Sequence, residues 1–189
     1  MKKLILAAAL SLSVSVPAFA TPVTYVLDPN HTYPSFEVSH MGFSFFRGVF
    51  KNTTGKAVLD MAARTGSLDA KIDTASIDMG NEKLVKQLKT DEFFNAEKFP
   101  AMTFKSSKFN FAGDNVASID GELTLLGITR PVTLNVDHFK CGPHPFNKKP
   151  MCGANATATI KRSEFGMKAY VPAVSDEVKI TIQTEGYTE

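Results

Sequence analysis

The four histidines and the two cysteines are the side chains of this sequence whose types and spacing could support chemistry. His31 follows Asp28 by three residues, yet no serine or cysteine is joined to them in a nucleophile pattern. There is no G-x-S-x-G, no H-E-x-x-H and no glycine-rich phosphate loop. Cys141 and Cys152 are too far apart for the C-x-x-C arrangement of redox exchange. Together with His138 and His144 they could hold a soft metal, but the spacing matches no standard zinc pattern. In an exported protein an even pair of cysteines reads as one disulfide. Closing the turn-rich segment between them, GPHPFNKKPM, would contribute about 3 kcal/mol in the chain-entropy model. These residues point to a binding protein, with no metal or catalytic group and no enzyme activity.

The elements that must position them begin after an export signal. Lys2 and Lys3 precede an apolar run from Leu4 to Val16, and Ala18-Phe19-Ala20 supplies small residues for cleavage between Ala20 and Thr21. The run is shorter than the roughly 20 residues that span a bilayer. Residues 1–20 are thus expected to be a cleaved signal and 21–189 one domain, in the periplasm. The sequence carries 21 basic and 19 acidic residues; setting aside Lys2 and Lys3 leaves 19 of each. A neutral domain with no basic stripe is a poor partner for nucleic acid. No second apolar run reaches membrane length.

From Thr21 onward the hydrophobic period is mostly two, the mark of half-buried strands. Leu68, Ala70 and Ile72 alternate with polar neighbours, as do Ile119, Gly121, Leu123 and Leu125. Val132, Leu134 and Val136 do the same, then Ala156, Ala158 and Ile160, and finally Val178, Ile180 and Ile182. Further strands are expected near Thr24–Leu27, Ser35–His40, Phe45–Phe50, Lys56–Asp60 and Met102–Ser106. The turn signals between them are short, so the strands must be antiparallel neighbours. About eight such strands, each with one apolar face, can close into a barrel wide enough to hold one small ligand. One short helix near residues 81–90 interrupts the pattern, with Asn81 as its N-cap and Leu84, Val85 and Leu88 on one side.

The stretch His31–Phe50 is the densest in aromatic groups, with Gly42 and Gly48 between them. Such a segment suits a cavity wall, and phenylalanine and methionine can line a channel without demanding hydrogen bonds. The expected lining is Phe36, Val38, His40, Met41, Phe43, Phe45, Phe46, Phe50, Leu84, Leu88, Phe93, Phe94, Phe99, Met102, Phe104 and Met167. His40 is in phase with Phe36 and Val38, so it faces the same side. It would meet a ligand's head group or satisfy backbone groups in the wall, and His31 would orient its turn.

Several blocks resemble the YceI-like family: D-x-x-H at Asp28–His31, V-x-H-M-G at Val38–Gly42, Gln87–Ser106, Gly121–Leu134, Arg162–Met167 and Pro172–Gly186. They are in order and span nearly all of the chain after the signal. The resemblance implies a lipocalin-like antiparallel β-barrel that encloses a long isoprenoid or similar lipid, such as an isoprenoid quinone or a precursor. Arg130 and Arg162 would then be able to pair with a phosphate or quinone oxygen. No cofactor beyond the bound lipid is implied, and loading would bring transient contact with a membrane. The alternative is a stress-response or protein-interaction scaffold whose barrel is packed solid. A closed barrel leaves few free edges, and no patch in the sequence specifies an oligomer.

Overall fold

The computed structural model describes residues 21–189. The expected signal, residues 1–20 with Ala20 at the cleavage position, lies outside the described residues. Eleven strand segments form one sheet: β1 (Val23–Leu27), β2 (Tyr33–His40), β3 (Ser44–Phe50), β4 (Thr53–Asp60), β5 (Thr65–Asp73), β6 (Ile77–Asp78), β7 (Ala101–Ala112), β8 (Asn115–Leu125), β9 (Ile128–Pro143), β10 (Pro150–Lys161) and β11 (Glu177–Thr188). The order β1-β4-β5-β7-β8-β9-β10-β11 closes on itself through Tyr25–Thr188, Val26–Tyr187 and Leu27–Gly186. The result is an eight-stranded antiparallel barrel, as the two-residue alternation requires.

Three neighbouring strands break at the same height. β1 passes into β2 through Asp28–Thr32, and both pair with the same edge of β11. β3 passes into β4 through Lys51 and Asn52, and β5 into β6 through a 3-10 turn at Thr74–Ser76. The breaks are tied together: Lys51 N–H donates to the Ser76 carbonyl and Asp73 N–H to that of Asn52. Above them β2, β3 and β6 form a separate leaf, held to the barrel by the β2–β11 pairing. β6 ends the sheet without pairing to β7.

That gap is filled by the helix α1 (Glu82–Leu88) and the segment that follows it. Asn81 caps α1, its side chain accepting from the N–H groups of Lys83 and Leu84. Beyond α1, Phe93 and Phe94 are buried in an upper core with Phe50, Ile72, Ile77, Met102, Leu125, Phe165 and Met167. A second cluster lower down gathers Phe104, Val116, Ile119, Leu134, Ala156 and Ala158.

Two glycines serve the geometry directly. Leu126 and Gly127 both take positive φ in the two-residue turn between β8 and β9, the conformation that matches strand twist. Gly48 lies beneath the Phe36 ring, where a Cβ would collide with it.

β9 and β10 run further than the alternation suggests, to Pro143 and from Pro150, past a register shift at Asn155/Ala156. Cys141 and Cys152 therefore sit opposite each other on paired strands and are joined as a disulfide. The bond staples a projecting hairpin, so the turn-rich segment between the cysteines is the tip of two paired strands.

Candidate functional site

A cavity of about 400 Å³ runs along the inside of the barrel. Its walls are the inward positions of the strands: Phe36, Val38 and His40 on β2, Phe46 and Phe50 on β3, Met102 and Phe104 on β7, and Ile180 and Ile182 on β11. α1 and its following segment contribute Leu84, Leu88, Phe93 and Phe94, and the loop after β10 contributes Met167. The lining reaches from Tyr170 and Gln87 at the upper end to Phe109, Val116 and Phe139 near the lower one. Tyr170 and Gln87 are exposed as well as lining, which sets the mouth at the upper end. The volume falls within the roughly 300–1,000 Å³ of small-molecule sites.

Five residues expected at the site lie elsewhere. Phe43 is 90% exposed at the tip of the β2–β3 hairpin, and Met41, at positive φ in the same turn, is 57% exposed. Both belong to the two-strand turn, outside the strand period that selects an inward face. Phe99 packs over Gly127 of the β8–β9 turn, with the Lys98 ammonium 5.4 Å from its ring centre. Arg130 is exposed near the start of β9, its guanidinium donating to the Thr129 carbonyl at 3.1 Å. A long cation so near a strand end reaches water more cheaply than it enters an apolar tube. Phe45 is outward too, because its neighbour Phe46 takes the inward position.

Arg162 reaches the cavity wall, yet its charge is already engaged. The side chain is buried, and Nε, Nη1 and Nη2 donate to the carbonyls of Ser175, Met167, Ala169 and Val174. Burial pushes the guanidinium below its ordinary value, while the charge of Asp176 opposes this. Asp176 accepts from the Ser163 N–H and hydroxyl, at 2.8 and 2.7 Å, and these bonds hold its carboxyl below the usual range. The loop 166–176 is thus strapped from within to the β10 end of the barrel.

The two histidines of the first aromatic stretch play different parts. His31 Nδ1 bonds the Asp28 carboxylate at 2.7 Å, which raises the histidine and lowers the aspartate from their ordinary values. It closes the turn between β1 and β2, away from the cavity. His40 stacks flat on Phe46, 4.3 Å between ring centres, and lines the mouth.

Hydroxyls inside the tube escaped notice in the sequence. Thr32 and Thr184 bond each other at 3.0 Å, and Thr53, also on the wall, has a buried hydroxyl without a partner among the described residues. Threonine is ordinary in strands, so its type alone gives no signal; only the inward phase of Thr53 with Ala57 and Leu59 does. Cys141 and Cys152, being joined, have no thiolates to offer a metal.

The sequence matches the YceI-like domain across residues 25–186. The chain belongs to the YceI-like family. A UPF0312 protein of Shewanella denitrificans is 33% identical over 98% of both chains, and one of Vibrio cholerae is 29% identical over the same share. Among solved structures, Burkholderia cenocepacia BcnA superposes with a TM-score of 0.69 at 26% identity, covering 84% of this chain and 98% of that one. The Campylobacter jejuni YceI protein gives 0.68 at 25%, covering 80% and 90%. A polyisoprenoid binding domain from Saccharophagus degradans has the same fold, with a TM-score of 0.65 at 15% identity over 88% of this chain and 99% of that one.

Proposed function

We propose that this YceI-like protein holds a long apolar chain of isoprenoid type inside its barrel, and carries it in the periplasm. The observation that carries the reading is the cavity, which continues from the mouth beside Tyr170 down to Phe139 and is walled almost wholly by hydrocarbon. Each methylene removed from water into such a wall contributes about 0.8 kcal/mol, so several isoprene units need no charged partner. The committed guanidinium of Arg162 argues for a ligand held by its tail rather than by a phosphate deep in the tube. The fold shared with a polyisoprenoid binding domain supports the same ligand class. Nothing in this role requires a cofactor or a catalytic group.

An open tube argues against the alternative of a solid scaffold, because a barrel built only for its loops has no reason to leave its centre unfilled. The test is extraction of protein purified from an osmotic-shock fraction, followed by mass spectrometry. The expected result is one isoprenoid per chain, on a protein that begins at Thr21. Repeated preparations without stoichiometric lipid would remove the reading.

A further inference from the structure

The cavity mouth is bordered by an apolar surface that the barrel interior does not need. Phe43 is 90% exposed, Phe45 58% and Met41 57%, all at the β2–β3 tip. Tyr170 and Val171, at 52% and 38%, lie on the neighbouring loop. The two segments are one surface: Met41 N–H donates to the Ala173 carbonyl at 2.6 Å, and His40 pairs with Val174. His40, Tyr170 and Val174 also line the cavity, so the outer rim and the inside of the tube share these residues, with the Tyr170 hydroxyl turned to the Glu92 carboxylate.

We infer that the Met41–Phe45 tip and the Tyr170–Val171 turn form a bilayer-docking collar, through which the apolar chain passes directly between a phospholipid surface and the barrel. This rests on the ligand reading above and adds the source of the ligand and the route. Three observations favour a bilayer over a second protein. The collar is small: a few partly exposed aromatic residues at roughly 150–250 Å² each when fully buried fall short of the ~800 Å² per partner of a stable interface. The stretch from His40 to Phe46 carries no carboxylate, and the Arg47 that follows is already paired with Glu37, so the tip brings little net charge into a headgroup layer. The collar also adjoins the cavity proposed to hold an apolar chain, so a ligand crossing there never has to be hydrated.

The deciding measurement is transfer of NBD-labelled geranylgeraniol from phosphatidylcholine vesicles, with and without phosphatidylglycerol, to the full-length mature protein. Docking makes the transfer rate rise in proportion to protein concentration, whereas release through water gives a rate independent of it. The double variant Phe43→Ser, Phe45→Ser should slow transfer by about tenfold, since partial loss of two buried phenylalanines corresponds to at least that factor. Its equilibrium affinity for the probe, added from ethanol without vesicles, should stay within about twofold of the parent, because neither ring lines the cavity. Phe146→Ser, which alters the 90% exposed residue on the projecting β9–β10 hairpin, should leave transfer unchanged. A concentration-independent rate, normal transfer by the double variant, or dependence on Phe146 instead would overturn the collar while leaving the ligand reading intact. So would a mouth-to-mouth dimer that the double variant dissociates, seen by light scattering, in a protein that does not sediment with vesicles. Failure of the parent protein to bind the probe at equilibrium would instead overturn the ligand reading, and the collar with it.

Discussion

Replacing Arg162 by Met tests whether this cation is a strap or a ligand contact. The guanidinium donates four hydrogen bonds to main-chain carbonyls of the 167–175 segment and is 3% exposed. A hydrogen bond to a charged group contributes about 1.5–3 kcal/mol, so four would sum to roughly 6–12 kcal/mol if they were independent. Two effects reduce that figure. The variant no longer buries a cation, and the loop is exposed on its outer side, where water can reach some of the freed carbonyls. The expected loss is about 3–5 kcal/mol, which corresponds to two or so of the four carbonyls left buried without a donor at about 1–3 kcal/mol each. At about 2–4 °C per kcal/mol for a domain of this size, the melting midpoint falls by roughly 6–20 °C. Urea unfolding followed by circular dichroism measures it, with Arg130→Met as the exposed control, expected within about 0.5 kcal/mol of the parent. An Arg162→Met protein of nearly parental stability that had lost only its affinity for lipid would refute the strap and restore Arg162 as a partner for the head group.

Ala156→Phe places a ring in the lower cavity and should cut affinity for long chains at least about tenfold with stability kept, read by competition binding; unchanged affinity would mean that the chain does not descend so far. Thr53→Val removes a buried hydroxyl without a partner and should raise stability by about 1 kcal/mol in urea titrations, whereas a loss of that size would show the hydroxyl to be paired. Cys141→Ser with Cys152→Ser should cost about 3 kcal/mol, and reductant should lower the parent's midpoint to that of the variant. Asp176 is held below its ordinary value, so the stability it supplies is complete above about pH 4 and is lost as pH falls through the lowered value. Asp176→Asn should flatten the acid limb of stability against pH, and an unaltered limb would assign the proton uptake elsewhere. His31 works in the opposite sense: its raised value gives a contribution complete below about pH 6.5 and lost as pH rises.

The strands whose inner and outer faces meet different solvents were legible in the sequence. β5 and β11 alternate because one face packs inward and the other is wet, and β8 does so from Ile119 to Leu125, beyond a register shift after Val116. The same period, applied residue by residue, separates Phe46 from Phe45, and a list built on aromatic content blurs them. Asn81 announced α1 because capping is local chemistry. What was not legible depends on residues distant in the chain. The carbonyls that occupy Arg162 belong to a loop whose path is set by β2 and β11. The long β9–β10 hairpin hides behind glycine and proline content and a register shift that interrupts the alternation. The hydroxyl pair of Thr32 and Thr184 joins residues 152 positions apart, and no local pattern encodes it.

The coincident breaks in three strands have a mechanical consequence. Below them every strand has two neighbours, and a closed hoop can widen only by parting a ladder of hydrogen bonds. Above them the leaf of β2, β3 and β6 has one bonded side and one seam, and the seam is closed by side chains of α1 and its following segment rather than by backbone bonds. Packing contacts can slide or re-form at intermediate separations, and a ladder cannot. The barrel therefore has a fixed bore at its base and an adjustable one at its entrance, so the thickness of what enters is constrained far less than the thickness of what can reach the bottom.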